Sequence, residues 1–302
     1  DCDRSIPNLM DGLKISLRKI LFSAFKKNLT TEIKVAQFSG YVSEHSGYHH
    51  GEASLNAAIV GMAQNFVGSN NINLFMPNGQ FGTRLQGGKD SASERYIFTQ
   101  LNKITRTLFP ANDDNIGTGF STDIMCYNPI QIIQYIKNKL SLEENSVEFI
   151  PYYDGFKGQI TKLSEEKYLI KGLYEKTGND TIRVTELPVG FWTEDFKELL
   201  EKLIEPGQDK EGKKITSVVK DYDDMSKDTN VDFTITFAKG KLEELEQSKG
   251  DYACNGLEKL LKLYTTNTTT NMHLFDADDK LQKYEKVSDI IDAYYDVRLK
   301  LY

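Results

Sequence analysis

Apolar positions along the first hundred residues recur at helical spacing in three short bursts. In residues 8–28 they fall at Leu13, Leu17, Ile20, Leu21, Ala24 and Phe25, which is one face of a 3.6-residue period. Lys14, Arg18, Lys19, Lys26 and Lys27 are left for the other faces. Ile33, Val35, Ala36 and Phe38 within "EIKVAQFSGYVSE" predict a second short helix, and the alanine-rich "EASLNAAIVGMAQNFV" predicts a third. The stretch that follows, "INLFMPNGQFGTRLQGG", has strand-like ends around a Pro/Asn/Gly turn and predicts a β-hairpin or wing. Three short helices and a wing form the winged version of the helix-turn-helix, whose second turn helix commonly faces a DNA groove.

Beyond Phe120 the texture changes. "NPIQIIQYIKNKLS" is an amphipathic helix, and residues 159–188 alternate as a strand meander broken at "TGND". "WTEDFKELLEKLI" opens on a cap-like signal at Thr193 and its following acids, then continues as a helix. "ITSVVKDYDD" and "VDFTITFAKG" predict further strands, and "YEKVSDIIDAYYDVRLKLY" predicts a closing helix. The sum is an α+β chain without internal repeats.

A length of 302 residues suggests about two domains. An apolar share of 39%, with 11% aromatic, is enough to bury a core and sets the chain apart from disordered sequences. The net charge of −7 hides an asymmetry: residues 1–110 carry 12 Lys and Arg against 8 Asp and Glu, and the remainder 25 against 36. His45, His49 and His50 also fall in the basic part. A basic module joined to an acidic one points to nucleic-acid contact at the first. Cys2, Cys126 and Cys254 are too far apart for zinc spacing or a disulfide framework, so a reducing compartment is expected. No apolar run approaches the roughly 18 residues of a membrane span, and no signal-peptide pattern is visible. "DCDRSIPN" runs straight into patterned sequence, so the chain reads as a fragment of something longer.

Candidate chemistry gathers in "GQFGTRLQGGKDSASERYIFT", where Gly79, Gly82, Gly87 and Gly88 surround Arg84, Lys89 and Arg95. Glycines let backbone approach a bulky group, and three nearby cations suit phosphate oxygens. Tyr96 would then be a phenol held beside a phosphodiester. With an ordinary pKa near 10 it needs cations that stabilise phenolate and a pentacoordinate phosphorus. An arbitrary "RYIF" is more often a buried strand, with the tyrosine simply packed. "SGYHHGEAS" adds adjacent histidines that point in different directions, so at most one need hold a phosphate oxygen or move a proton. Alone, this motif reads as polar residues capping the helix that begins near Glu52.

In order, "RSIP", "MDGLK", "RKILF", "VAQFSGYVSEHSGYHHGEASL", "QNFVGSNNINLF", "GQFGTRLQGGKDSASERYIFT" and "IGTGF" resemble the breakage-reunion region of type IIA DNA topoisomerases of the eukaryotic kind. "ELPVGFWTEDFKE", "LFDADDKLQKYE" and "DAYYDVRLKLY" extend the resemblance over essentially the whole chain.

The resemblance implies a winged-helix cleavage domain in residues 1–114, a mixed α/β tower domain in 115–285 and the start of a coiled-coil arm to a dimer gate in 286–302. It puts the nucleophile at Tyr96, which forms a 5′-phosphotyrosyl link and leaves a free 3′-hydroxyl. Arg95 would bind the scissile phosphate, and Arg4 and His50 would stabilise the same transition state. Lys14, Arg18, Arg84 and Lys89 would contact the DNA backbone, and Ile116 would wedge between base pairs and bend the duplex. The partners implied are double-stranded DNA and a second copy in a homodimer, with no membrane. Mg²⁺ and ATP would be bound by modules outside this chain, with no metal ligands within it. The expected location is the nucleus, or a viral replication site, since large DNA viruses carry eukaryotic-like versions. Weak sequence preference and steep salt dependence are expected of a protein that reads phosphates and deformability.

Two departures stand out. Glu94 occupies the position before Arg-Tyr where eukaryotic relatives usually have proline. "FPANDD", ending at Asp114, runs directly into "NIGTGF" at Asn115, where relatives have an intervening stretch. The alternatives are a non-enzymatic winged-helix DNA-binding module with a structural Tyr96, and a bacterial gyrase-type relative; "YIFT" and "SEHSGYHHGE" favour the eukaryotic kind.

Overall fold

The structure, a computed structural model, describes residues 6–48, 51–110, 122–207 and 215–301. Its first element is α1 (Ile15–Lys26), which buries Ile20, Leu21 and Ala24. The helix starts later than the apolar period predicts because residues 8–13 form a turn. Asn8 Oδ1 accepts the Met10 amide at 2.8 Å, Asp11 Oδ1 accepts the Leu13 amide at 2.9 Å, and Gly12 sits at φ 67°. After the two-residue strand β1 (Ile33–Lys34) comes α2 (Val35–Ser46), ended by Gly47 in the left-handed region. Next comes α3 (Glu52–Ala63), with Leu55, Ile59, Val60, Met62 and Ala63 buried. The three helices close over a core running from Leu13 to Leu101, in which Phe38 and Phe75 are both fully buried with ring centroids 5.7 Å apart.

The hairpin expected within residues 72–88 does not form. Its first arm pairs instead with the far side of the loop, through antiparallel bridges Phe75 to Leu101 and Asn78 to Phe98. β2 (Phe98–Thr99) also pairs with β1. Positive φ at Gly79, Gly82, Gly87 and Gly88 bends the chain out of extended geometry, so residues 79–97 become a long loop between the two arms. The loop is followed by the single-turn α4 (Thr105–Leu108).

The second half begins with α5 (Pro129–Leu140), started by Asn128, whose side chain accepts the Ile130 amide at 2.9 Å, and by proline at the first turn. The predicted meander is real as strands but is split between two sheets. β3 (Gln159–Ser164), β4 (Lys167–Lys171) and β9 (Tyr264–Thr268) form one antiparallel sheet in that order. β5 (Leu173–Lys176), β6 (Thr181–Glu186), β7 (Val219–Asp224) and β8 (Phe233–Phe237) form the other, in the order β5-β6-β8-β7. The chain changes sheets at Gly172, where a Cβ would run into the Glu186 carbonyl and the amide turns away to Leu263 O at 2.8 Å.

The four-stranded sheet is covered by α6 (Thr193–Ile204), whose Phe196 stacks edge-on against Phe233 at 5.0 Å, both fully buried. Thr193 does not cap this helix: Trp192 is the cap residue, and Thr193 Oγ1 is buried without a partner among the described residues. We expect Phe196→Ala to cost about 3–5 kcal/mol, read as a shift in the urea midpoint at unchanged slope.

Short helices α7 (Lys241–Gln247) and α8 (Gly256–Leu260) precede β9, with Asn255 and Glu258 forming a reciprocal capping box on α8. The hairpin β10–β11 (His273–Phe275, Leu281–Lys283) reaches back to the start of the chain, where Leu9 N donates to Phe275 O at 2.9 Å. The final helix, α9 (Val287–Leu301), packs on α5 through Asp292, which accepts Tyr135 OH at 2.9 Å and Lys139 Nζ at 2.6 Å. Among the described residues no helix is long and apolar enough to cross a membrane.

Candidate functional site

The loop of residues 79–97 is built to hold its shape. The Asp90 carboxylate accepts the Thr83 amide at 2.8 Å and the Thr83 hydroxyl at 2.5 Å, while Gly88 N donates to Thr83 O at 2.9 Å. Ala92 N closes back on Gln80 O at 2.9 Å, and Gln64 Nε2 reaches across from the end of α3 to Phe81 O at 2.9 Å. Farther along, Tyr96 N donates to Ser93 O at 2.9 Å, placing Glu94 and Arg95 at the centre of a tight turn. That turn is tied to the start of α2. The Val35 amide donates to Ile97 O at 3.0 Å and the Ala36 amide to Glu94 O at 3.1 Å. Two of the donors that a helix N-terminus leaves unpaired are thereby spent on the loop.

The consequence is a sharp division between neighbours. Ile97 is 1% exposed and belongs to the first core, while Tyr96 is 76% exposed. The packed-strand reading of "RYIF" therefore holds for Ile97 and fails for Tyr96. Buried phenols elsewhere in the chain are in a different state: burial pushes Tyr127 up, and it pushes Tyr153 up to about 12. The Tyr96 ring, by contrast, stands in solvent beside the exposed Arg95. Lys89 is exposed on the same loop, and Lys14 is exposed at the start of α1. Glu94 is half-buried, with its carboxylate turned to the Ser93 hydroxyl at 3.3 Å.

Other expected contact residues are engaged within the protein. Arg18 binds Asp11 through two nitrogens, one of them at 2.9 Å, and also donates to Leu13 O at 3.0 Å. Arg84, expected to face DNA, is 6% exposed, and its guanidinium is bidentate on Glu186, which is 0% exposed. A buried guanidinium paired on a buried carboxylate lacks the access of a backbone anchor, so this expectation is corrected: Arg84 ties the loop to β6. Arg4, His50, Ile116 and the Asp114–Asn115 join lie outside the described residues. Among the described residues no group of three or more His, Cys, Asp or Glu is placed to hold a metal ion.

Sequence reasoning passed over Asp90, Trp192 and Glu186. Glu186 carried a usable signal. It stands at the inward position of β6 after Ile182 and Val184, and an acid in register with a buried apolar face needs a buried partner.

An α+β chain that presents an exposed Arg-Tyr pair on a helix-tied loop matches one family along nearly its whole length. The family model for the A-type subunit of DNA gyrase/topoisomerase IV matches residues 4–116 and 114–302, and the chain belongs to that family. Among its relatives, DNA topoisomerase 2 of Arabidopsis thaliana is 43% identical over 337 residues, covering 100% of this chain and 22% of that protein. The mitochondrial DNA topoisomerase 2 of Dictyostelium discoideum is 44% identical, covering 99% of this chain and 24% of that protein. The chain thus spans about a quarter of the length of these relatives. A solved Plasmodium falciparum structure, described as the topoisomerase II DNA-binding, cleavage and re-ligation domain, superposes with a TM-score of 0.89 at 42% identity. It covers 99% of this chain and 43% of that one. The two matched pieces of the family model overlap at residues 114–116.

Proposed function

We propose that this chain is the DNA breakage-and-rejoining part of a type IIA topoisomerase and that Tyr96 is its nucleophile. The observation that carries the reading is the exposed Tyr96 beside exposed Arg95, on a loop anchored to the N-terminus of α2. The phenolate oxygen forms a bond to a backbone phosphorus, the bond from phosphorus to the 3′-oxygen breaks, and that oxygen takes a proton as the 5′-phosphotyrosyl link forms. Rejoining reverses each step. One phosphodiester is exchanged for another, so resealing needs no cofactor of its own. Arg95 stabilises the charge that gathers on the phosphate oxygens, the role planar guanidinium suits. Arg4 and His50 are assigned to the same transition state, and Ile116 to the wedge that bends the duplex.

The order α1, α2, α3 and the arms at 75–78 and 98–101 support a winged helix-turn-helix in residues 1–114. Residues 115–285 are assigned to a tower and 286–302 to the start of a coiled coil. Each tyrosine cuts one strand, so a double-strand break that passes another duplex requires a homodimer. Mg²⁺ and ATP are assigned to modules outside this chain. The proposed location is the nucleus for a cellular protein and the replication site for a viral one.

The test is covalent trapping. A full-length protein carrying this chain, incubated with duplex DNA and Mg²⁺ and quenched with SDS, is expected to leave protein joined to the 5′ ends of the cut strands. DNA binding without any such adduct would replace this reading with the non-enzymatic winged-helix module. Binding should also weaken steeply with salt, and Lys89→Ala is expected to lower the slope of log K against log salt by about 1 across unrelated sequences. An unchanged slope would remove Lys89 from the DNA surface.

A further inference from the structure

Three segments far apart in sequence meet at one buried carboxylate. Glu186, at the end of β6, accepts the Arg84 guanidinium on both oxygens, the Lys157 amide at 3.0 Å and the Leu187 amide at 3.0 Å. Arg84 comes from the loop that carries Tyr96, Lys157 from the turn before β3, and Glu186 from the four-stranded sheet. Beside this pair the loop lies against residues 192–194. Gly87, at φ +62°, sits directly under the Trp192 indole, where a Cβ would run into the ring nitrogen. Phe66 also packs edge-on against the Trp192 ring at 5.8 Å. Glu194 N donates to Leu85 O at 3.1 Å, and Gln86 Nε2 donates to the Glu194 carboxylate at 2.9 Å. The contact is therefore directional as well as apolar, and it fixes the loop in rotation as well as in distance.

Resting on the reading of Tyr96 given above, we propose that Glu186 and Trp192 are positioning residues for DNA cleavage. The second half of the chain holds the nucleophile loop in its working position through them. The route is short and hydrogen-bonded. The clamp grips residues 84–87, Gly88 N is bound to Thr83 O, Thr83 is bound to Asp90, and six residues later the chain reaches Tyr96, whose own turn is tied to α2. Tyr96 makes no side-chain hydrogen bond to the described residues, so the placement of its phenol is inherited from the loop backbone. A loop released on its clamped side keeps its exposed cations near DNA and loses the alignment of the attacking oxygen.

The experiment uses the full-length protein with Mg²⁺ and a saturating DNA duplex, comparing the single-turnover rate of SDS-stable adduct formation with the DNA Kd. Glu186→Gln and Trp192→Phe, each assayed well below its own melting temperature, are expected to slow adduct formation about 10- to 100-fold, the cost of a reacting atom displaced by roughly 1 Å. DNA Kd should stay within about threefold, because uniform binding is not what the clamp provides. Trp192→Phe keeps an aromatic filler and carries the test if Glu186→Gln does not fold. Melting temperatures that fall while the adduct rate per folded molecule stays at the wild-type value would overturn the proposal and leave a purely structural contact. Loss confined to Kd would overturn it as well. A wild-type protein that forms no adduct overturns both this proposal and the nucleophile assignment, whereas a wild-type adduct with unaltered variants overturns this one alone.

Discussion

Replacing Tyr96 by phenylalanine is expected to abolish the covalent protein–DNA adduct while leaving the fold and DNA binding in place. The side chain is 76% exposed, and its hydroxyl makes no hydrogen bond to the described residues, so removing one oxygen costs the folded state almost nothing. The melting temperature should not move measurably. Chemistry is another matter, and phenols buried elsewhere in the chain are not placed to substitute. Tyr127 and Tyr153 lie in the second half of the chain, and burial raises them both. Loss of an enzyme nucleophile typically removes roughly 10⁴-fold or more of the rate, which for an adduct assay means a signal below detection. An adduct that persists in Tyr96→Phe at wild-type yield would mean that another residue attacks. Arg95→Ala offers an intermediate case, with a fall of about 10²–10³-fold expected from removing one group that stabilises the developing charge.

Arg84→Ala is expected to cost more stability than the loss of either exposed cation of the loop, Lys89 or Arg95. The substitution leaves the Glu186 carboxylate, 0% exposed, with the Lys157 and Leu187 amides and no counter-charge. Stranding one member of a buried ion pair costs about 3–5 kcal/mol, which for a protein of this size corresponds to a fall on the order of 10 °C in melting temperature. Removing both charges together, as Arg84→Met with Glu186→Leu, should recover most of that loss, because an apolar pair no longer needs solvation. The double-mutant cycle isolates the coupling. A cost below about 1 kcal/mol for Arg84→Ala would place the pair on an exposed surface. A reduced salt slope of DNA binding at unchanged melting temperature would return Arg84 to the role of backbone anchor.

Arg84 also shows where reading a sequence stops. Glycines and cations around "GTRLQGGKDSASERY" identify a loop fit for phosphate, and that reading suits Lys89 and Arg95, which are exposed. Arg84 belongs to the same pattern by composition alone. Its fate is set by Glu186, 102 residues away, and no local pattern announces which distant acid will be folded against it. Glu186 was the more legible member of the pair, since an acid in phase with Ile182 and Val184 asks for a partner. The partner's name was not in the strand.

Helices were legible because a 3.6-residue apolar period is a local property, and α1, α2, α3, α5, α6 and α9 all arise where that period runs. Strands were legible for the same reason, but their pairing was not. The alternation through residues 159–188 marks a strand meander, and it is at Gly172, close against the Glu186 carbonyl, that the chain passes from one sheet to the other. The wing behaved likewise, its first arm pairing with residues 98–101 rather than with the turn beside it.

By itself, then, the sequence determined the helical faces, the α+β character and the family, and it singled out the Arg95-Tyr96 pair as a candidate, since each depends on residues near one another or on an ordered string of motifs. The tertiary structure decided that Tyr96 stands out while Ile97 goes in, that Arg84 is buried, and that residues 192–194 grip the loop. Those outcomes depend on which surfaces are covered, and coverage is supplied by chain segments a hundred residues distant whose apolar and hydrogen-bonding demands are met only when the whole chain has folded.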